Sequence, residues 1–565
     1  MCGITGIIDR KQKVDRAEMT RFTDALSHRG PDGRGIFVDR TVGLGHRRLA
    51  ILDLSEAGTN PMSYTAPDGK VYWITLNGEI YNFLELRREL EALGHHFHSQ
   101  TDTEVALAAY AQWGRGCLER FNGMWAFAVW DAAKRELFLS RDRFGIKPLY
   151  YCANGRIAFA SELKAFLSLT GFTARMNDPL VRRILQSSEP WEGVSDESMM
   201  EGVRALPAGH YMLINEKLKF ELVRWWETSD HVPPVPHRYE DQTQQFREIL
   251  LDAVRLRMRS DVPVGTSLSG GLDSSAVASS MAWLHKHSST NLERCASDWQ
   301  KTFVATFPGS KLDERPFADT VARSINADVH YKTFDPVEAA ALVQDVIWSV
   351  EYVHGIIAAP VWSIYREMRR NDVLVSLDGH GGDETLGGYA GYLDIPIGQL
   401  NEKLYADIHQ LMLPSILRNY DRCSMAHGVE VRMPLLDWRL VTFACGLPPQ
   451  AKIGSGFTKR ILRDAVRGIL TEPIRIRRSK IGFNAPMIEW FNGAMKPVVE
   501  AVLRLPFWNE NSFWDGKDIS TRVRKRMNAG PWRYEDWGQV FQLSVMMNVA
   551  LWHALFVEQR RADLS

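Results

Sequence analysis

VPVGTSLSGGLDSS (residues 262–275) reads as an apolar strand that runs into a glycine-rich turn and then a helix, continued by AVASSMAWLH. A turn of this kind aims backbone N–H groups and the positive end of a helix dipole at one point, which suits a bound phosphate. The Lys and the spacing of G-x-x-x-x-G-K-[ST] are absent, so this is not a Walker A loop. Taken alone, the segment has a bland alternative, an ordinary Gly-Gly turn with Ser and Asp capping a helix. Its surroundings argue for more. TFVATF (302–307) and VLVSL (373–377) are further apolar strands separated by helical patterns, and this alternation predicts a parallel sheet with helices on both faces. A third strand of that sheet ends at LDGHGGDETLGGY (377–389), and open α/β sheets bind ligands at such carboxyl ends. The C-terminal region reads as mainly helical.

Towards the N-terminus the pattern changes to short alternating strands and tight turns. VYWITL (71–76) follows a turn at Asp68-Gly69, and PLYYC (148–152) joins RIAFA (156–160) through Asn154-Gly155, a pair suited to the positive φ angles of a type I′ hairpin turn. An antiparallel β-rich domain over residues 1–226 is expected. The polar, proline-containing stretch 227–243 continues neither strand nor helix and reads as a linker. Residues 244–565 then form a second domain.

Composition narrows the chemistry. The 565 residues exceed what one core accommodates. The 68 basic residues balance 68 acidic ones, so no general field attracts nucleic acid or an anionic membrane, and neither is expected as a partner. The six cysteines are scattered without a Cys-x-x-Cys pair, which points to a reducing compartment and, with no secretory leader in the N-terminal sequence, to the cytoplasm. No apolar run reaches bilayer length. The longest candidate, Val545 to Val557, is interrupted by Asn548 and His553 and reads as a buried helix. His95, His96 and His98 could suggest a metal cluster, but neighbours in a strand point to opposite faces, and a surface turn is the expectation.

Cys2 follows Met1 directly. Removal of Met1 would put a thiol and a free α-amine on one residue. An amine titrating near roughly 8 beside a thiol near roughly 8.5 makes a nucleophile and base in a single unit. A lone Cys at position 2 is otherwise a plain exposed thiol. The segments that accompany it are SHRGPDG (27–33), GHRRLAILD (45–53), LNGEIYN (76–82) and RDRFGIKPLYY (141–151). Together with MCGITGI this set resembles the class II glutamine amidotransferases. The resemblance implies an N-terminal nucleophile fold, an antiparallel β-sandwich flanked by helices, in which Cys2 attacks the glutamine amide and Asn77 and Gly78 supply the oxyanion hole. It further implies that Arg48 grips the substrate α-carboxylate, that Glu79 and Asp102 hold its α-ammonium, and that Leu52 lines the pocket. A zwitterion needs a cation on one side and carboxylates on the other, so the residue types are apt.

SGGLDSS in turn resembles the pyrophosphate loop of enzymes that cleave ATP between the α and β phosphates. DGHGGDE (378–384), LRNYDRCSMAHGVEVRMPLLD (417–437) and RRSKIGFNAP (477–486) extend the likeness, nearly end to end and in order, to the asparagine synthetases. By that resemblance Leu268, Ser269, Gly270, Gly271, Asp273, Ser274, Ala305, Asp378 and Gly379 contact ATP, Asp273 and Asp383 hold Mg²⁺, and Lys480 lies on the departing pyrophosphate. ATP and Mg²⁺ are therefore the expected cofactors, and glutamine and a carboxylate the small-molecule partners. A homo-oligomer is left open. The sequence also departs from the family pattern. His380 stands where the family has a Glu suited to acid/base work near the acceptor, and Asp378 where it has a Ser. Histidine can still take up a proton at neutral pH. EYVHGIIAAPVW (351–362) lacks the Asp-rich or Arg-containing pattern expected beside aspartate. Aspartate leads as acceptor, with a natural product, sugar acid or peptide carboxylate as the alternative. A ligase for another amine would not need Cys2, Asn77 and Asp102, and an idle relative would show damaged loops.

Overall fold

The strand GITGII (Gly3–Ile8) has every residue buried, and its alternation explains why. Ile4 and Ile8 point into one apolar core, and Ile7 points into another with Met19 and Phe22 of helix Arg16–Asp24. Covered on both faces, it is a central strand. It pairs antiparallel with Val42–Arg48 and with Ile157–Ala160 in a six-stranded sheet. A second antiparallel six-stranded sheet is built around Val71–Ile80 and Gly123–Asp131. Ala126, Ala128 and Trp130 of the latter close on Ile4 and Ile8, and helix Asp102–Trp113 covers the outer face. The result is a sandwich of two sheets between helices. The Asn154-Gly155 hairpin forms as its sequence predicts, with Tyr150–Ala153 paired to Ile157–Ala160 and Gly155 at φ 72°. The computed structural model describes residues 2–187, 192–287, 292–353, 358–480 and 485–564.

The second half holds a five-stranded, wholly parallel sheet in the order Asp328–Thr333, Lys301–Thr306, Val264–Ser267, Val375–Leu377, Glu430–Arg432. Two of these strands escape a reading of the sequence. DVHYKT is a half-exposed edge strand without an apolar run, and EVR is only three residues long. VLVSL is consequently the fourth strand in chain order and not the third. From Val264–Ser267 the chain winds outward in one direction, then returns to the other side of that strand with Val375–Leu377. The switch point of the sheet lies between these two strands, just where the SGGLDSS and DGHGGDE loops emerge.

Two expectations need correction. The stretch 227–243 is not all linker. A 3₁₀ turn spans Thr228–His231, and helix Tyr239–Arg257 starts within it, because the last proline is Pro236 and the residues beyond it are free to be helical. The apolar C-terminal helix is also longer than its interruptions suggest. Tyr534–Val557 is long and apolar enough to cross a bilayer, yet 78% of its most apolar window is buried inside the protein. Asn548 and His553 sit within the helix without breaking it.

Buried polar contacts join the domains. Asp437, fully buried, accepts from Arg257 and Arg439 of the second domain at 2.9 Å each and from Asn122 Nδ2 of the first at 2.9 Å. Burial opposes its charge, but Arg257, Arg439 and Asn122 hold the carboxyl well below its ordinary range. The sign is therefore that of a depressed acid: its contribution is present above the unfolded value of roughly 3.9 and lost as pH falls towards the folded one. Asp437→Ala leaves Arg257 buried without its carboxylate and should cost about 3–5 kcal/mol, read as a lower urea midpoint at pH 7 with an unchanged denaturant slope.

Candidate active sites

The first site sits at the start of the Gly3–Ile8 strand. Cys2, Arg48, Leu52, Gly78, Glu79 and Asp102 line one narrow pocket. The Cys2 backbone N–H donates to Asn77 Oδ1 at 3.1 Å, and its Sγ lies 4.0 Å from the Leu49 carbonyl. Burial raises the thiol above its ordinary value. Asn77 is wholly buried and its Nδ2 has no hydrogen-bond partner among the described residues, an unmet donor beside a nucleophile. Gly78 adopts φ 152°, and a Cβ there would lie 2.1 Å from the Met124 carbonyl oxygen. Only glycine lets the strand turn its N–H here.

Opposite, Glu79 and Asp102 form a pair of buried carboxylates. Asp102 accepts from the Ile80 N–H at 2.8 Å, and burial pushes its carboxyl up to about 6. Burial and Asp102 together carry Glu79 well above the usual range. Arg48 is held open by carbonyl oxygens, donating to Ser55 at 2.7 Å and also to Asp53. A cation and two carboxyls thus share one pocket with the thiol. No local sequence pattern points to Arg432, which reaches from the parallel sheet of the other domain to within 3.6 Å of Glu79.

The second site is a cavity of about 500 Å³ at the switch point of the parallel sheet. Ser269, Gly271, Asp273 and Ser274 from one loop and Asp378, Gly379, His380 and Asp383 from the other line it, with Lys480. The two loops touch backbone to backbone, since a Cβ on Gly379 would lie 2.5 Å from the Ser274 nitrogen and 2.6 Å from the Asp273 carbonyl carbon. Leu268, Gly270 and Ala305 do not line the cavity. The Leu268 N–H is bonded to Phe303 O at 2.9 Å, Gly270 shapes the turn at φ 74° against Ala318, and Ala305 lies on the neighbouring strand.

Asp378 is present but engaged. It is buried and accepts from Ser267 N at 3.1 Å, Ser376 Oγ at 2.6 Å and Tyr365 Oη at 2.6 Å. Its fourth neighbour is His380 Nε2 at 3.5 Å, whose ring lies 3.6 Å from that of Tyr420. Against the cost of burial, these hydrogen bonds hold Asp378 below its ordinary range. It anchors the loop and His380 rather than offering a free oxygen to a nucleotide.

Lys459 escapes a reading of the sequence, being 186 positions from the loop it serves. Its ammonium is buried between Asp273 and Asp383, 2.6 Å from the latter. Lys480 also pairs with Asp383 and lies 4.3 Å over the Tyr389 ring. Against burial, these two lysines draw Asp383 down to about 2. Arg477, in sequence one member of a basic run, pairs with Glu314 at 2.9 Å and donates to Gly270 O at 3.2 Å, tying the run to the glycine loop. Residues 354–357 of the acceptor-side stretch and 481–484 beyond Lys480 lie outside the described residues. The histidines near residue 95 make no metal cluster, and none of three or more ligating groups occurs among the described residues. His95 itself is buried, between Tyr64 at 2.7 Å and Gln112 at 2.8 Å, and not on the surface turn expected of it.

A glutamine amidotransferase domain family matches residues 1–226, and the asparagine synthase family matches 245–399 and 397–554. This chain belongs to the glutamine-hydrolysing asparagine synthase family. Asparagine synthetase [glutamine-hydrolyzing] 1 of Bacillus subtilis (strain 168) is 27% identical over 99% of this chain and 98% of its own. Asparagine synthetase [glutamine-hydrolyzing] 3 of the same organism is 31% identical over 85% of this chain and 86% of its own. Amidase chyE of Penicillium rubens is 30% identical over 69% of this chain and 60% of its own. As a member of the asparagine synthase family, the chain is a carbon–nitrogen ligase that uses glutamine as amido donor and ATP. The close approach at Gly379 then has a measurable weight. Gly379→Ala must part the two loops, an overpacking that costs about 1–3 kcal/mol. The KM for ATP should rise about tenfold or more while glutamine hydrolysis measured without ATP is unaffected, as steady-state kinetics of each half-reaction would report.

Proposed function

We propose that this enzyme makes asparagine from aspartate, glutamine and ATP, releasing glutamate, AMP and pyrophosphate. The observation that carries the reading is the Cys2 pocket, in which a thiol, an unmet amide donor, one guanidinium and two carboxylates converge in the same chain as an intact nucleotide cavity. With Met1 removed, the Cys2 nitrogen is an α-amine that takes the thiol proton as sulfur attacks the glutamine carbonyl. Asn77 Nδ2 and the Gly78 N–H receive the oxyanion, each such donor being worth about 3–4 kcal/mol in comparable sites. Arg48 holds the substrate carboxylate, and Asp102 with Glu79 its ammonium. Ammonia leaves, and water frees the sulfur from its thioester.

In the second cavity the acceptor carboxylate attacks the α-phosphorus of ATP, pyrophosphate departs, and ammonia displaces AMP from the acyl-adenylate. Ammonia must travel inside the protein, because in water at neutral pH it is protonated and loses its lone pair. Lys459 and Lys480 offset the charge that gathers on the leaving pyrophosphate. His380, oriented by Asp378 and Tyr420, accepts a proton from the attacking nitrogen. The donor set fits Mg²⁺: Asp273 Oδ1 is a buried carboxylate oxygen without a hydrogen-bond partner among the described residues, Asp383 is its neighbour across Lys459, and oxygen is the ligand this ion prefers. When bound, the ion would neutralise phosphate charge.

Purified, Met1-processed enzyme given glutamine, ATP, Mg²⁺ and aspartate should yield asparagine, glutamate and AMP in equal amounts. Glutamate without asparagine or aspartate-dependent AMP would sink aspartate and send the search to another carboxylate. Cys2→Ala should abolish the glutamine-dependent reaction and spare the reaction fed with ammonium. Asn77→Ala should lower glutaminase kcat about 10²–10³-fold. Asp102, raised to about 6, holds ammonium only when ionised, so the KM for glutamine should climb as pH falls through 6. A flat KM between pH 5 and 7 would remove it from that role.

A further inference from the structure

Helix Leu413–Met425 carries neighbouring side chains into different sites. Tyr420 lines the nucleotide cavity with its ring 3.6 Å from His380. The next residue, Asp421, turns the other way into the domain junction, where it is buried and accepts two hydrogen bonds from Arg29, at 2.8 and 3.2 Å. Arg29 has no exposure at all, and its Nε donates to the carbonyl oxygen of Cys2 at 3.0 Å. Two residues of one helix and one arginine thus span the distance from the nucleotide cavity to the nucleophile. The remaining charges around the junction brace the arrangement. Arg29 also meets Glu162 at 2.6 Å, Lys147 stands 3.7 Å from Asp421, and Arg422 lies 3.3 Å from Glu351. The helix begins just after a π-helical turn at Asp407–Leu411, an irregularity frequent at functional sites.

We infer that Asp421 is a positioning residue that couples the two active sites, transmitting occupation of the nucleotide cavity through Tyr420 and Arg29 to Cys2. The reason is one of charge and burial. Parting Asp421 from Arg29 would break two buried charge-assisted hydrogen bonds that no water replaces, leaving Asp421 to Lys147 and Arg422 and Arg29 to Glu162, so a joint shift costs less. A ligand that displaces the Tyr420 ring or the His380 ring tilted against it therefore moves the Cys2 carbonyl, and with it the thiol and nitrogen of the same residue. The inference rests on glutamine and ATP being the substrates of the two pockets, and it requires nothing about the acceptor. The coupling is reciprocal for binding, so a glutamine analogue held at Cys2 should change nucleotide affinity by the factor by which ATP changes the affinity of that analogue.

The test is the rate at which a diazoketone analogue of glutamine alkylates Cys2, followed by mass spectrometry with and without ATP and Mg²⁺, with ATP binding measured separately by calorimetry. In wild-type enzyme ATP should change the rate at least about fivefold, the lower end of typical couplings. In Asp421→Asn the change should fall within about twofold of unity, while ammonium-fed amide formation is retained and Asp421→Glu restores part of the effect. Arg29→Lys, which keeps the charge and loses the two-pronged contact, should behave like Asp421→Asn and carries the test should that variant fail to fold. ATP that binds the wild type without altering alkylation overturns the inference. So does an Asp421→Asn enzyme that keeps the full effect, or that loses ammonium-fed and glutamine-fed activity in equal proportion, which makes the residue merely structural. If ATP does not bind the wild type, the reading of the cavity falls and takes the inference with it.

Discussion

A guanidinium that cannot reach water must be met by carboxylates or carbonyls, and at the junction of the two domains this requirement is imposed again and again. Arg29 of the first domain finds Asp421 of the second. Arg259 and Arg432 of the second domain find Glu85 and Glu79 of the first. Arg259 also donates to the Tyr81 carbonyl, two residues from the glutamine pocket. Apolar surfaces would hold the halves together as firmly, but they slide, whereas a buried ion pair has one good geometry and is costly in every other. The orientation of a thiol-bearing sandwich relative to a nucleotide-binding sheet is therefore set by charges, to within a hydrogen bond.

The chemistry gains from that rigidity. Arg432 shows it compactly. Its guanidinium stands behind Glu79, and its backbone carbonyl accepts the Asp378 N–H at 2.9 Å, so one residue of a short edge strand braces both pockets. The topological switch of the parallel sheet opens a crevice by necessity, and the two glycine loops that border it meet where a single Cβ would hold them apart. Elements that look incidental in isolation, a three-residue strand and a glycine, fix where the reacting groups can be.

How much of this is legible in the sequence depends on range. The Asn-Gly hairpin, the strand before SGGLDSS and the grouping of Cys2, Arg48, Glu79 and Asp102 in one pocket can be read because each rests on a local pattern or on an accompanying set of motifs. Lys459, Arg432 and Asp421 cannot, since nothing within a few residues of any of them announces a partner that lies far along the chain. Leu268, Gly270 and Ala305 show the limit of adjacency to a motif: they belong to the glycine loop and its neighbouring strand but do not line the cavity. The helix at Tyr239 is obscured because prolines colour a whole window, although each acts only on its own turn and the residue before it.

The sides of the long apolar helix near the C-terminus are satisfied only by the protein around it. A chain that loosens there presents a hydrophobic surface of membrane-spanning length to whatever is nearby, including another such chain. Heating should then end in association that outruns refolding, and the durability of this enzyme is better described by how long it survives at a given temperature than by any melting point.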